Sequence, residues 1–579
     1  MNVVQSAATG WPEDQEASGD DLSWWSTPAG VTRAYGRCRF GQIHYRAAGV
    51  PRRDRVPLIC LHQSPSSGRA WEQLLAVMGR DRRAIAPDTP GFGDSDAPAE
   101  PPSIGAYAAA IGDLLDELGL GIVDLLGDHT GSKIAVELAQ QRPRQVRRVV
   151  LHAAPIYDAQ QVAAQQRLLV EKRTESWKPA SGEHFRQRWA EFRRHYDADA
   201  PFGLVDRDFC ETLRARERTW FGYHAAYNYS HAENLPRLEQ PVLVLCTNDG
   251  LWDETQRAAR YLENGRLLPL PDWRVGSISR RAEELAAILR QFLDGPAGES
   301  SQATPKVAPS LPVSGRSAIE RRFIMTPRGQ MHVRVIAGNP AAPPLLCFHM
   351  SPRSGHYFEA LLHELAGPRT VMAVDSPGYG ESFKPAVRPD IADYAEAMIG
   401  LLQALGHPKV DLLGDHTGVK TAIETAYRRP DLVRRVVMNT AGVYSAEEQR
   451  GWQGRMGSIP VQEDGGHIAQ LWDRYQNLNR GKLDQDQIAF RFYETLRAGP
   501  CTWWGPRAAN LYLLGEVLPH IENELLLVCS DQDSLIEPSR RGAKLLKNGR
   551  YVEFAGYGNS MFEYRAKDCA PTIAAFLAA

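Results

Sequence analysis

Two histidines, His129 and His416, sit in identical pentapeptides, Gly-Asp-His-Thr-Gly, at Gly127–Gly131 and Gly414–Gly418. Each pentapeptide follows the run Val-Asp-Leu-Leu and precedes a stretch with helical spacing, so the imidazole stands between a strand and a helix. Imidazole is the side chain whose ordinary pKa lies between pH 5 and 8, which suits it to general acid–base work. At a helix N-terminus the dipole disfavours imidazolium, and a carboxylate nearby favours it. The balance predicts titration near neutrality. Asp128 and Asp415, one residue earlier, are expected to stabilise the start of the helix through its dipole.

The pentapeptide is part of a longer repeat. Gly41-Gln-Ile-His-Tyr-Arg46 recurs as Gly329-Gln-Met-His-Val-Arg334, an alternating segment that reads as a strand. Leu61-His-Gln-Ser-Pro65 recurs as Phe348-His-Met-Ser-Pro352, and Asp88-Thr-Pro-Gly-Phe-Gly-Asp-Ser95 as Asp375-Ser-Pro-Gly-Tyr-Gly-Glu-Ser382. The offset is 287 residues from His129 to His416 but 284 from Asn264 to Asn548, so the second copy is shorter in its middle segment. Gly295–Ser317, rich in Pro, Ser, Gly and Ala, reads as a flexible tether. The expected organisation is a disordered tail over residues 1–30, one domain over 31–294, the linker over 295–317, and a second domain over 318–579.

Composition narrows the partners. The 579 residues are 43% hydrophobic and 23% charged with net charge −2, an ordinary globular balance that favours neither nucleic acid nor an anionic membrane. The apolar runs are strand-length, far below the roughly 20 residues of a membrane span. The N-terminus has neither a basic nor an apolar leader region, so the expected location is cytoplasmic. The eight cysteines lack metal spacing, and Cys60, Cys246 and Cys347 fall in apolar runs that suit buried thiols. No His/Asp/Glu cluster shows ligand spacing, so no metal site is expected.

Within each copy, short apolar runs alternate with helical patterns, as in a parallel sheet with crossover helices. Residues 159–238 and 447–521 carry helical spacing, aromatics and charge. Trp220-Phe221-Gly222 and Trp503-Trp504-Gly505 hold matching places there, where packing is the expected use.

Taken as an ordered set, twice, these motifs resemble the α/β-hydrolase superfamily, in particular its epoxide-hydrolase and esterase-like branch with a helical cap. The resemblance implies two tandem α/β-hydrolase-fold domains, each a mostly parallel sheet flanked by helices, with caps at about 159–238 and 447–521. It makes the pentapeptide the nucleophile elbow, where the family normally places Ser, Cys or Asp. Here the seat holds His129 or His416. It assigns the acid seat to Asp249 and Asp533, and the oxyanion hole to the backbone N–H groups of Gln63 and Thr130, or Met350 and Thr417. The family's terminal histidine has no counterpart: its place falls near Val275 in one copy and near Asn559 in the other.

The resulting expectation is a His–Asp dyad in which the base has moved into the nucleophile's seat. His62 and His349 are expected to be structural, Ser64 and Ser351 to cap their loop, and the Asp94–Asp96 carboxylates to be solvated. A one-residue shift of register would make Asp128 and Asp415 the nucleophiles instead, as in dehalogenases and epoxide hydrolases. The function expected is cofactor-independent hydrolysis of a small, largely apolar molecule with His129 and His416 as general bases. A lyase- or isomerase-type proton transfer and a ligand-binding pseudoenzyme stay open beside it. The two copies could pair as an intramolecular pseudo-dimer.

Overall fold

The computed structural model describes residues 22–175, 177–295, 319–453, 459–558 and 561–579. Residues 1–21 of the expected tail, and the expected linker after Gly295, lie outside them. Trp25, within the stretch expected to be disordered, is buried. Its indole occupies the space that a Cβ at Gly499 would need, at a backbone φ of 56°.

The first half of the chain builds one sheet from β1 (Val31–Cys38), β2 (Gly41–Ala48), β3 (Leu58–Leu61), β4 (Ala84–Pro87), β5 (Val123–Asp128), β6 (Val146–His152), β7 (Val242–Thr247) and β8 (Gly265–Leu270). Their order is β1-β2-β4-β3-β5-β6-β7-β8, with β2 antiparallel to both neighbours and the remaining pairs parallel. The second half repeats it with β9 (Glu320–Thr326), β10 (Gly329–Ile336), β11 (Leu345–Phe348), β12 (Val371–Val374), β13 (Val410–Asp415), β14 (Val433–Asn439), β15 (Glu524–Ser530) and β16 (Gly549–Phe554). Both are mostly parallel sheets flanked by helices, as the motif series implied.

The central strands are apolar along their whole length because helices cover both faces. In the first sheet Ile59, Leu61 and Leu125 face the helices Ile104–Glu117 and Thr130–Gln141. Leu58, Cys60 and Leu126, one residue out of phase, face Glu72–Met78 and Ala282–Leu293. The two-residue period of a strand thus divides one apolar run between two cores.

The compact units do not follow the halves of the chain. One comprises Thr27–Phe323 together with Pro460–Tyr493; the other comprises Ile324–Ile459, Glu494–Ala579 and, of the N-terminal residues described, 22–26. In the first unit, the helix Gly466–Asn479 packs on Glu183–Arg193. Trp189 meets His467 edge-on at 5.1 Å and Phe185 meets Trp472 at 5.5 Å. Asp206 and His467 Nε2, both buried, lie 2.9 Å apart.

The alternating strand segments carry more than pattern. His44 and Arg46 are buried and both bind Asp88, whose carboxylate also accepts the N–H groups of Gly68 (2.8 Å) and Asp94 (2.9 Å). His332, Arg334, Gly355 and Glu381 surround Asp375 in the same way. One buried carboxylate therefore fixes the Asp-x-Pro-Gly loop to the sheet in each copy. Asp94 and Asp96 depart from the expected solvated loop: Asp94 is buried and ion-paired with Arg214, and Asp96 accepts the N–H of Gln42 and pairs with Arg321.

Candidate active site

The elbow forms where β5 or β13 runs directly into the helix Thr130–Gln141 or Thr417–Arg428. His129 and His416 take φ 48° with ψ −105° and −102°, a left-handed conformation costly for a residue with a Cβ. The flanking glycines make the turn feasible. A Cβ on Gly127 would strike the Gly131 carbonyl, and one on Gly131 the Leu61 carbonyl; Gly414 and Gly418 are equally constrained.

The loop after β7 or β15 brings the expected carboxylate to the elbow. His129 Nε2 lies 3.1 Å from Asp249 Oδ2, and His416 Nε2 lies 3.2 Å from Asp533 Oδ2. Thr247 Oγ1 (2.8 Å) and the N–H of Leu251 (3.1 Å) hold Asp249; the N–H of Leu535 (2.8 Å) holds Asp533. Because Nε2 is directed to the carboxylate, Nδ1 is the ring nitrogen without a protein partner among the described residues. Thr130 and Thr417 are the first residues of their helices, so their N–H groups have no carbonyl four residues earlier to pair with.

Electrostatics differs from the near-neutral expectation. Burial lowers the His129 pKa, but Asp128 and Asp249 outweigh it and hold the imidazole up at about 9. For His416 the same contest, with Asp533 and Asp415 on the raising side, also ends at about 9. Burial works against the charge of Asp249 and Asp533 too, yet the imidazolium holds both below the ordinary carboxylate range. Each pair is a charged hydrogen bond at neutral pH. A second carboxylate within reach of each ring tips the balance that the helix dipole alone would set the other way.

Asp128 and Asp415 take their partners from the next strand. In the parallel register Asp128 stands beside His152 and Asp415 beside Asn439. His152 Nδ1 lies 2.7 Å from Asp128 Oδ1, and Asn439 Nδ2 donates to Asp415 Oδ1 at 2.6 Å. Beyond the helix N-terminus they were expected to serve, these carboxylates hydrogen-bond sideways to the neighbouring strand. Burial, reinforced by Asp533, raises the Asp415 pKa to about 6 although His416, the Tyr357 hydroxyl and Asn439 pull it down. Asp128, His129 and His152 each bring a potential ligand atom within 4.8 Å of the others, a grouping their sequence spacing does not reveal. All three already take part in the contacts just described.

The loop after β3 or β11 is pinned through His62 and His349. His62 Nδ1 donates to the Gln63 carbonyl (2.7 Å) and Nε2 accepts the Thr89 N–H (2.8 Å); His349 does the same with Met350 and Ser376. Both rings are buried and fully used, and burial lowers their pKa. Ser64 and Ser351 lie against the cap. A Cβ on Gly222 would collide with Ser64 and one on Gly505 with Ser351, so the glycine of each Trp-x-Gly segment lets the cap helix approach this loop. Near the family's base position, the Val275 N–H donates to the His195 carbonyl (3.2 Å). Asn559 lies outside the described residues.

Two site residues escaped the motif reading. Lys133 and Lys420, four residues after each histidine, are buried, and burial pushes both amines down to about 7. Lys133 Nζ donates to the carbonyls of Ala226 (2.5 Å) and Tyr229 (2.9 Å). Lys420 Nζ donates to the Ala509 carbonyl and lies 4.6 Å from the centre of the Tyr444 ring. The second copy has a cavity of about 200 Å³ lined by Met350, Ser351, His416, Thr417, Lys420, Tyr444 and Asn510 among others, so the elbow, the loop after β11 and the lysine share one space. The repeated motif is longer than five residues: Gly-Asp-His-Thr-Gly-x-Lys occurs in both copies.

A family model described as alpha/beta hydrolase fold matches residues 56–251 and 343–566. Over 97 residues the chain is 35% identical to 2-(acetamidomethylene)succinate hydrolase of Mesorhizobium japonicum, covering 17% of this chain and 35% of that protein. It is 40% identical over 97 residues to epoxide hydrolase 2 of Siraitia grosvenorii, covering 16% and 30%. The chain thus spans about a third of the length of these curated relatives. Among solved structures, E-2-(acetamidomethylene)succinate hydrolase aligns with 45% of this chain and 100% of its own, at 21% identity and a TM-score of 0.38. Among the described residues no helix is long and apolar enough to cross a membrane.

Proposed function

We propose that this chain, which belongs to the α/β-hydrolase fold family, is a hydrolase in which the elbow histidine takes the place of the nucleophile and its base. The observation that carries this reading is the His–Asp pair made in both copies, with Nε2 on the carboxylate and Nδ1 left for a reacting molecule. In this role Nδ1 removes a proton from water attacking a small carbonyl compound. The N–H groups of Thr417 and Met350, or Thr130 and Gln63, stabilise the oxyanion that forms. No acyl-serine forms at this seat, because it holds an imidazole. Asp249 and Asp533 orient the ring and stabilise its charged form. A cavity of about 200 Å³ restricts the second copy to a small substrate.

The pH dependence follows from the pair. A base held at about 9 is almost wholly protonated at pH 7. Turnover should therefore rise about tenfold per pH unit and level off near 9. The purified chain is to be screened against esters, lactones, epoxides and β-dicarbonyls, followed by a pH–rate profile on whichever substrate turns over. A rate that is flat between pH 6 and 8 and falls above 9 would make the histidine an acid, and the base assignment would be wrong.

A further inference from the structure

We propose that the cavity of the second copy binds the carboxylate group of its substrate through the amine of Lys420. This deepens the hydrolase reading above by naming the charge its substrate carries. Lys420 is buried beneath the cavity in the second turn of the elbow helix, four residues from His416 and on the same helical face. Its amine is fixed between two groups that also line the cavity, the Ala509 carbonyl and the Tyr444 ring. An ammonium offers three donors, and here one protein hydrogen bond is made. Among the described residues no carboxylate pairs with it. A cation stripped of water and lacking a counter-ion is a site for an anion, because the ligand's charge restores what burial removed.

The first copy shows the alternative. There the Lys133 amine is spent on two carbonyls, Ala226 and Tyr229, where the cap helix Thr219–Tyr227 ends. That arrangement caps a helix C-terminus and uses the donors that a ligand would need. The same residue at the same place is structural in one copy and left open in the other.

The groups around Lys420 set its pH response. His416 repels its charge from the start of the same helix; Asp415 and Asp533 act on that imidazole, and Asp533 and Glu448 act on Tyr444. Tyr444 stays neutral because burial raises its hydroxyl, and the cap contributes the neutral Ala509 and Asn510. Burial holds the free amine at about 7, and a bound carboxylate raises that value. Binding of an anion therefore takes up a proton. Its apparent affinity should be constant well below pH 7 and fall about tenfold per pH unit above it.

The test uses titration calorimetry on the intact chain with isobutyrate and its neutral isostere isobutyramide, from pH 6 to 9. The expected result is one site per chain, an isobutyrate preference of at least about tenfold at pH 6, and decay of that preference from a midpoint near 7. Lys420→Met should abolish the preference, and Lys420→Arg should keep it while removing the pH dependence near 7. Lys133→Met should leave binding unchanged. Thermal unfolding of each variant separates loss of the site from loss of the fold. Equal affinity for the two probes, or a preference that survives Lys420→Met in a folded chain, overturns the proposal; so does a midpoint near 9, which would assign the anion to His416. Because binding is read without turnover, this outcome is independent of the dyad. An anion preference in a chain that turns nothing over sinks the hydrolase reading alone, and turnover without the preference sinks Lys420 alone.

Discussion

In the first copy the carboxylate before the elbow, Asp128, has an imidazole for its neighbour, His152; in the second, Asp415 has the amide of Asn439. The elbow histidines themselves are alike in backbone angles, distance to the late carboxylate and raised pKa. What differs is the ground beneath them. His152 sets a ring nitrogen against Asp128, whereas Asn439 offers Asp415 an amide N–H, and burial raises that carboxyl to about 6. The lysines diverge too, one bound to two cap carbonyls and the other to one beside a cavity. The repeat has kept the His–Asp pair and changed its surroundings, so the pair is common to both copies while the contacts of the neighbouring lysines are particular to each.

The largest effect that can break this comparison is on rate. If both dyads work, His129→Ala and His416→Ala together should lower turnover by about 10²–10⁴-fold, the usual cost of losing a general base. Ligand binding should be retained. The single variants sharpen the comparison: with the cavity and Lys420 in the second copy, His416→Ala should remove most of the turnover of a small carboxylate-bearing ester. Measured kcat for the two single variants and the double decides between one working copy and two. Equal halves would mean that the differences around the dyads are functionally silent. Activity spared by both His→Ala changes but lost in Asp128→Asn and Asp415→Asn would place the nucleophile one residue earlier.

The next effect should be equal in the two copies, because the feature behind it is identical. Asp88 and Asp375 are buried, and although burial favours their neutral form, His44 with Arg46 and His332 with Arg334 hold both far below the ordinary carboxylate range. A carboxylate with a depressed folded pKa contributes stability that is present above its unfolded value, about 4, and lost as pH falls toward the folded one. Asp88→Asn and Asp375→Asn should each destabilise the unit that holds them by about 3 kcal/mol at pH 7, since several charge-assisted hydrogen bonds to one buried carboxylate weaken at once, while Glu72 and Glu359 still pair with the two arginines. Thermal unfolding at pH 7 and pH 3.5 checks both points: the loss should shrink at the acid end. A loss confined to one copy would mean that the two loops are not held alike.

How much of this was legible follows the range of the interactions involved. The elbow, the central strands and the order of the motifs rest on local features: a Gly-x-His-x-Gly turn, four apolar residues in a row, a helical period. The Asp249 and Asp533 pairings were reachable because a known strand order brings the end of β7 or β15 to the elbow. The Asp128–His152 contact was not, since it depends on the register of two parallel strands joined by a helix. Lys420 was missed because a lysine in a helix ordinarily marks a solvated face; its signal was the recurrence of Lys two residues after each pentapeptide. The histidine pKa depended on having two carboxylates near one ring. The membership of Pro460–Tyr493 in the first unit rests on aromatic contacts between segments nearly 300 residues apart.

The smallest effect is the most specific to the comparison, because its sign should differ between copies. A carboxyl group whose folded pKa is raised binds its proton more tightly in the folded state, so ionisation penalises folding. For Asp415 the penalty is absent below pH 4, grows as pH rises toward about 6, and is constant above that. A shift of roughly two units bounds it at about 3 kcal/mol. Asp415→Asn removes the penalty and keeps an acceptor for Asn439, though His416 loses one of its two carboxylates, which offsets part of the gain. At pH 7.5 the unit holding β13 should become more stable by about 1–2 kcal/mol, with no gain at pH 4. Asp128→Asn should act in the opposite direction, because the short contact with His152 gives up its charged partner, at a cost of about 1.5–3 kcal/mol. Thermal unfolding of both variants at the two pH values reads the contrast directly. If Asp415→Asn destabilises at pH 7.5 as Asp128→Asn does, Asp415 is ionised without penalty, and His152 and Asn439 are interchangeable neighbours.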